Sequence, residues 1–577
     1  MPRHARKSLR RWLGMLLGLL PLAAGADAVI RNQAMLATTI AEIYVEDDAV
    51  RLDLDIGVPD FGAFRSLLPD ALHARMEFGD VPFAERLERF LTQEFRILAD
   101  GEPLTGRLTA IGPAERVRRD EITGEPLPAT GEAETVINAS FRWSLAGRPA
   151  QLEFALALPA DAAVGYVVYH QRIAVNDFRY LTASQILNLD WEDPWYSAFA
   201  RRNLRRQYDA PMAGFIYVEP YEVRKEIIVR PRDMQRYVDL GLDGRDTIPV
   251  AIQAEIRQKV IDFLREHQPV TIDGRPAEPA AARADFLERS LRTSRVIDPP
   301  EELDVNAAIL GVKFIYPHPD FPQTVTMRWD LFDDRIGKVP ASAVDPAGGM
   351  PQFLEPDADM LEWRNFIRVP VMPELAAVEA PPGPGARILF YGRWLLVLIA
   401  AFLLWRLVRA LRDDRTHAAG PAAITATALV LAGFGWWLGG QARLDEAATR
   451  EVVTGLLTNI YRAFDFRGEG DVYDVLARSV DGDLLREVYL EMRRGLVLAS
   501  QGGASARVKN VELVTLDARP AGDQEIAARA SWRVAAAVGH WGHIHERRNE
   551  YRADLRLRPV DGAWKVVGVE ILDEVRL

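Results

Sequence analysis

A chain of 577 residues is too long for one ordinary core; at roughly 100–200 residues per domain it predicts about three to five units. Hydrophobic residues make up 49% and charged residues 26%, which excludes a disordered chain, and a net charge of −12 leaves no basic field for a phosphate backbone, so nucleic acid is not expected as a partner. With no cysteine, disulfides, thiolate nucleophiles, iron–sulfur clusters and Cys-containing zinc sites are excluded, and any metal must be held by histidines and carboxylates.

In chain order, Arg3, Arg6, Lys7, Arg10 and Arg11 precede an apolar run from Trp12 to Ala24 and then small residues. This is the pattern of a secretory signal peptide over 1–28. Beyond it the chain repeats itself. Ile43-Tyr44-Val45-Glu46 followed by Val50-Arg51 recurs as Ile216-Tyr217-Val218-Glu219 followed by Val223-Arg224, an offset of 173. The offset persists: Phe90-Leu91 maps to Phe263-Leu264, Asp100-Gly101 to Asp273-Gly274, Phe141 to Phe314 and Pro149 to Pro322. A tandem duplication follows, with modules at 29–165 and 211–370 joined by a connecting segment at 166–210.

Within each copy the grammar is that of strands. Val50, Leu52, Leu54 and Ile56 alternate with Arg51, Asp53 and Asp55, the period of a half-buried strand, and Ile137, Ala139, Phe141 and Trp143 repeat it. One amphipathic helix interrupts them, marked by Phe83, Leu87 and Phe90 in the first copy and by Ile252, Ile256, Val260 and Phe263 in the second. Each module is expected to be an antiparallel β-sandwich of immunoglobulin-like type with one helical insertion. In the connecting segment, Asp193 before Pro194 reads as a helix cap with Trp191 and Trp195 as packing anchors; a Ca²⁺ site among Asp190, Glu192 and Asp193 is the weaker alternative. Arg201, Arg202, Arg205 and Arg206 form a basic cluster, expected mainly as a solvated face.

A Pro/Gly linker at 371–387 leads to two apolar stretches, 388–411 and 421–440, each of a length expected to form a transmembrane helix. Arg406, Arg409, Arg412 and Arg415 lie at and in the loop at 412–420, so the positive-inside rule places that loop in the cytoplasm. Together with the signal peptide this predicts a two-span protein of a bacterial-type inner membrane, with the lipid bilayer as a partner and both soluble regions periplasmic.

The last region, 444–577, begins with helical spacing at Val453, Leu456, Leu457, Ile460 and Phe464, continues through Leu484 to Leu496, and then turns to alternating strands ending in Trp564-Lys565-Val566-Val567-Gly568-Val569. Helices followed by four long strands with that ending resemble the NTF2-like, cystatin-type cone superfamily. The resemblance implies an α+β fold with a concave pocket; its members include isomerases, dehydratases and noncatalytic assembly or ligand-binding domains. The chemically suggestive string here is His540-Trp541-Gly542-His543-Ile544-His545. His543 and His545 share one face of a strand, the spacing of a metal pair, with His540 as a third candidate ligand for Zn²⁺ or Cu²⁺. Arg547, Asn549 and Tyr551 continue that face and make a candidate pocket. The alternative is a structural role for the histidines at a hairpin.

No catalytic motif is present, and no catalytic or cofactor-binding residue is assigned. The expected function is a noncatalytic, membrane-anchored scaffold, recognition or assembly protein with a protein partner in the membrane or periplasm. The alternative is a ligand- or metal-binding protein, or an isomerase/dehydratase-type enzyme, using the C-terminal pocket.

Overall fold

The computed structural model describes residues 37–116, 134–368, 384–413 and 446–577, apart from short internal breaks, together with isolated positions that include Leu375 and Val378. The chain divides into two compact units, one built mainly on residues up to Val371 and one mainly on residues from Met372 onward.

The first unit holds two β-sandwiches. In the first, β1 (Thr39–Val45), β2 (Ala49–Gly57), β3 (Glu134–Ser144) and β4 (Val164–His170) form the centre of a seven-stranded sheet in the order β4-β1-β2-β3. A five-stranded sheet faces it. The shared core draws Ile43, Leu52 and Phe141 from the large sheet and Ile97, Leu152 and Phe154 from the small one. The inward set on β2 is the one that alternation selects, because side chains on a strand point to opposite faces.

The second sandwich repeats this plan with β5 (Ala213–Glu219), β6 (Glu222–Val229), β7 (Ile309–Pro317) and β8 (Val339–Asp345) in the order β8-β5-β6-β7, facing a four-stranded sheet. Register repeats as well as order. Tyr44 pairs with Arg51 and Tyr217 with Arg224; Leu52 pairs with Phe141 and Lys225 with Phe314. Each second pair lies 173 residues beyond the first. The Asp-Gly turns repeat too. Asp100 and Asp273 both take positive φ, and each carboxylate accepts from the backbone N–H of a residue at the same offset, Gln151 at 2.8 Å and Thr324 at 2.9 Å.

Two features depart from the sequence reading. The sheets are not purely antiparallel: β1 runs parallel to β4, and β5 parallel to β8. In both modules the fourth strand is reached from the opposite sheet, so it enters in the direction of the first. The helical insertions also differ in length. In the first module α1 (Phe83–Arg89) ends in a π-helical turn through Glu94, whereas in the second α2 runs from Val250 to His267.

The membrane reading is corrected. Among the described residues no helix is long and apolar enough to cross a membrane. Segment 388–411 does lie in a helix, α3 (Pro384–Asp413). Arg393 and Arg406 nevertheless confine its charge-free stretch to Trp394 through Trp405, about 18 Å of helix against a hydrocarbon core of roughly 30 Å. The two-transmembrane-helix fold class and the inner-membrane and periplasmic localisation therefore do not stand. Segment 421–440, apart from Ala426, Thr427 and Val430, lies outside the described residues, as do the signal segment 1–28 and the loop from 414 to 420.

The second unit contains α4 (Glu446–Arg462), α5 (Glu469–Ser479) and α6 (Asp483–Gln501), then a four-stranded sheet in the order β9-β10-β11-β12 (Ser505–Gly522, Glu525–His540, His543–Val560, Ala563–Arg576). Val452, Leu456, Leu476 and Leu485 from the helices pack on Ala530, Trp532, Ala553 and Leu555 from the sheet. The expected Pro/Gly linker contributes to this core, since Leu375 and Val378 pack against it and the Val378 carbonyl accepts from the Trp564 N–H at 3.0 Å.

Candidate functional site

Where the two sandwiches of the first unit meet, they frame an open cleft of ≈ 1620 Å³. The end of β1 and the start of β2 supply Tyr44, Glu46 and Arg51 to its wall; the connecting segment supplies Trp191, Glu192 and Asp193; the second module supplies Arg232, Asp233, Arg245, Asp246 and Arg335. The lining is charged in both senses, with ten carboxylates against seven guanidiniums.

Local structure explains why these groups are held in place. Asp193 caps a short 3₁₀ turn, Pro194–Tyr196, by accepting from the Trp195 N–H, and Pro194 fits the first position because it has no N–H to satisfy. The same carboxylate accepts from Arg230 at 2.9 Å and lies 3.6 Å from Arg232. Arg230 also stands over the Trp195 ring, 5.1 Å from its centroid, while Arg206 stands 4.0 Å from it. This cap therefore ties the connecting segment to the second module through a buried ion pair. Asp233 is 4% exposed, and burial pushes its carboxyl above the usual range, with Arg230 opposing that shift.

On the first module's side, the Arg51 guanidinium lies 4.0 Å from the Tyr44 ring centroid and Tyr44 stacks on Tyr169 at 5.1 Å. Burial and the Glu42 carboxylate raise the Tyr44 hydroxyl well above its ordinary value, so it remains a donor at physiological pH. The second module repeats the motif as Arg224 over Tyr217 at 4.3 Å, with Glu219 in the place of Glu46. There the group is closed off: the Arg224 side chain is 2% exposed, against 36% for Arg51.

Among the buried ionisable groups away from the cleft lining, His170 and Lys225 have lowered pKa values. His170 hydrogen-bonds the Ser197 hydroxyl at 2.7 Å and meets the Trp191 ring edge-on, and burial lowers its pKa to about 4. Lys225 donates to the Gln268 carbonyl at 2.7 Å and the Leu264 carbonyl at 3.2 Å at the end of α2, and burial pushes its amine down to about 7. Both serve the fold, one under Trp191 and one at a helix C-terminus whose free carbonyls need donors.

The sequence-selected C-terminal residues fall on one hairpin. His540 ends β10, while His543, His545, Arg547, Asn549 and Tyr551 follow on β11. The side chains from His540 through Arg547 lie outside the described residues, and among those described no group of His, Asp and Glu is placed to hold a metal. Asn549 and Tyr551 do come together: Asn549 donates to the Tyr551 hydroxyl at 3.1 Å and to Glu574 at 2.9 Å, and Tyr551 stacks on Trp532. The register shifts in this hairpin sit beyond Tyr551, and Leu572 and Val567 of β12 are the residues left without a partner. Alternation on β11 is therefore unbroken from Asn549 to Leu557. The carboxylates proposed for Ca²⁺ are used otherwise: Asp190 accepts from the backbone of Glu192 and Asp193, and Asp193 is the cap. In the arginine cluster, Arg205 and Arg206 bond the Phe199 and Trp195 carbonyls.

Sequence reasoning missed the cleft, which is assembled from loops distant in the chain; the charged string Asp243-Gly244-Arg245-Asp246 is the local signal that marks its rim. No known protein family matches the chain, and no curated protein matches it. Among solved structures, the intermembrane space region of chloroplast protein ARC6 is similar at 16% identity, covering 22% of this chain and 98% of that chain with a TM-score of 0.18, too low a score to carry an argument.

Proposed function

We propose that this chain is a noncatalytic recognition or assembly protein and that the cleft between its two sandwiches receives a polypeptide segment of a partner. The observation that carries this reading is the mixed-charge lining supplied jointly by both modules. Charged groups arranged in both senses select a partner by complementarity and register rather than by apolar burial. Two buried groups with shifted pKa values away from the cleft, His170 and Lys225, are spent on internal hydrogen bonds. The test is recovery of the partner with the purified full-length chain. Reversing Arg245 and Asp246 together (Arg245→Glu, Asp246→Lys) should abolish it at unchanged net charge, and undiminished recovery would overturn the reading.

A second reading puts ligand binding in the C-terminal unit, whose order of three helices and a four-stranded sheet supports an NTF2-like cone. The unbroken alternation through Asn549 and Tyr551 favours it. In this reading His540, His543 and His545 hold Zn²⁺ or Cu²⁺, or the pocket serves isomerase/dehydratase-type chemistry. Titration of the full chain with each metal tests it, the triple alanine variant serving as reference; equal binding by both chains removes the metal version.

A further inference from the structure

Along α3 the side chains that meet solvent are large and apolar. Leu395, Leu398, Ile399, Phe402, Leu404 and Trp405 are all exposed, from 42% at Ile399 to 66% at Leu398. At about 100° per residue these positions sweep an arc of about 220° around the helix, twice the stripe of about 100° that a helix buries against a protein core. A groove in a protein covers one side of a helix, whereas an arc this wide fits immersion in a continuous apolar medium. Charge narrows the choice further. From Arg387 to Arg412 the sequence carries five arginines and no aspartate or glutamate. Arg406, Arg409 and Arg412 are exposed, and among the described residues no carboxylate pairs with them. They continue the apolar arc toward the C-terminal end of the helix, where the Arg409 guanidinium lies 5.6 Å from the Trp405 ring centroid. Arginine stems lie along apolar surface while their heads reach outward to polar groups.

We propose that α3 docks on an anionic lipid surface, with Leu398 and Phe402 in the boundary between headgroups and acyl chains and Arg406, Arg409 and Arg412 on lipid phosphates. A helix lying in this boundary buries its apolar face without crossing the bilayer, so the short charge-free stretch of α3 suffices. Trp405 beside Arg409 suits the headgroup level, where amphipathic rings gather. Attraction between each arginine and the anionic surface is screened by salt. The proposal does not rest on the cleft.

The test is flotation of the purified full-length chain through a density gradient with vesicles of equimolar phosphatidylcholine and phosphatidylglycerol, beside vesicles of phosphatidylcholine alone. The chain should rise with the anionic vesicles. Removing their charge should weaken binding by at least about tenfold, as should Arg406→Gln, Arg409→Gln and Arg412→Gln together. Leu398→Glu with Phe402→Glu should abolish flotation, and a thermal melt matching the wild type checks that each variant folds. Should a variant not fold, the wild-type chain decides alone: phosphatidylglycerol brominated on its acyl chains should quench its tryptophan fluorescence, and the quenching should fade as salt rises. A chain that stays behind the anionic vesicles, binds both vesicle types equally, or floats undiminished after the Leu398 and Phe402 replacements overturns the proposal. So does a vesicle-free dimer, seen by sedimentation, that those replacements dissolve without any flotation of the wild type, since a second copy then covers α3.

Discussion

His170 shows how a single buried side chain makes the fold sensitive to pH. Its ring titrates at about 4 in the folded chain and near 6.5 when unfolded. As pH falls, the unfolded chain therefore takes up the proton first. The stability tied to the neutral ring is complete above about pH 6.5 and is lost on the way down to about pH 4, by roughly 3 kcal/mol. Urea denaturation across that range should show the decline, and His170→Gln should flatten it; an identical acid slope in the variant would contradict the assignment. Lys225 occupies the position of Leu52 in the other module, 173 residues earlier. Replacing it with Leu leaves the Leu264 and Gln268 carbonyls without their donor, an expected loss of about 1–3 kcal/mol. A thermal melt of Lys225→Leu at or above the wild-type midpoint would refute that role.

Among the elements, the paired β1–β2 and β5–β6 hairpins were the most legible parts of the chain, because alternation and a constant offset are local signals. Tyr44, Arg51 and Phe141 and their counterparts Tyr217, Arg224 and Phe314 occupy equivalent register positions. The parallel pairings of β1 with β4 and β5 with β8 were not legible, since strand direction within a sheet depends on where the chain has travelled. The cap at Asp193 was readable from Asp-Pro, whereas its ion pair with Arg230 joins two modules and leaves no mark on local spacing. Length and hydropathy alone misled at 388–411, where the charges at Arg393 and Arg406 decide how much helix is apolar. The first module's core also yields a prediction. Phe141 is 0% exposed and packs on Phe90 at 5.3 Å and Trp143 at 5.9 Å. Phe141→Ala should cost about 3–5 kcal/mol, measured by chemical denaturation, and a loss below about 1 kcal/mol would show that this aromatic cluster is not a packed core.

For the molecule as a whole, repetition supplies two scaffolds of one plan, and their differences assign the work. The second module closes its Arg224–Tyr217 group off from solvent, while the first leaves Arg51 and Tyr44 on the wall of a charged cleft. Recognition through that cleft is the central claim. It is tested most directly by placing a photo-crosslinking amino acid at Thr247, an exposed residue of the cleft lining, and at Val58, an exposed position outside it. The full-length chain irradiated in its native cells should give one discrete protein adduct from position 247, none from position 58, and none from position 247 once Arg245 and Asp246 are reversed. The absence of any adduct from position 247, or an adduct that survives the reversal, would contradict the account.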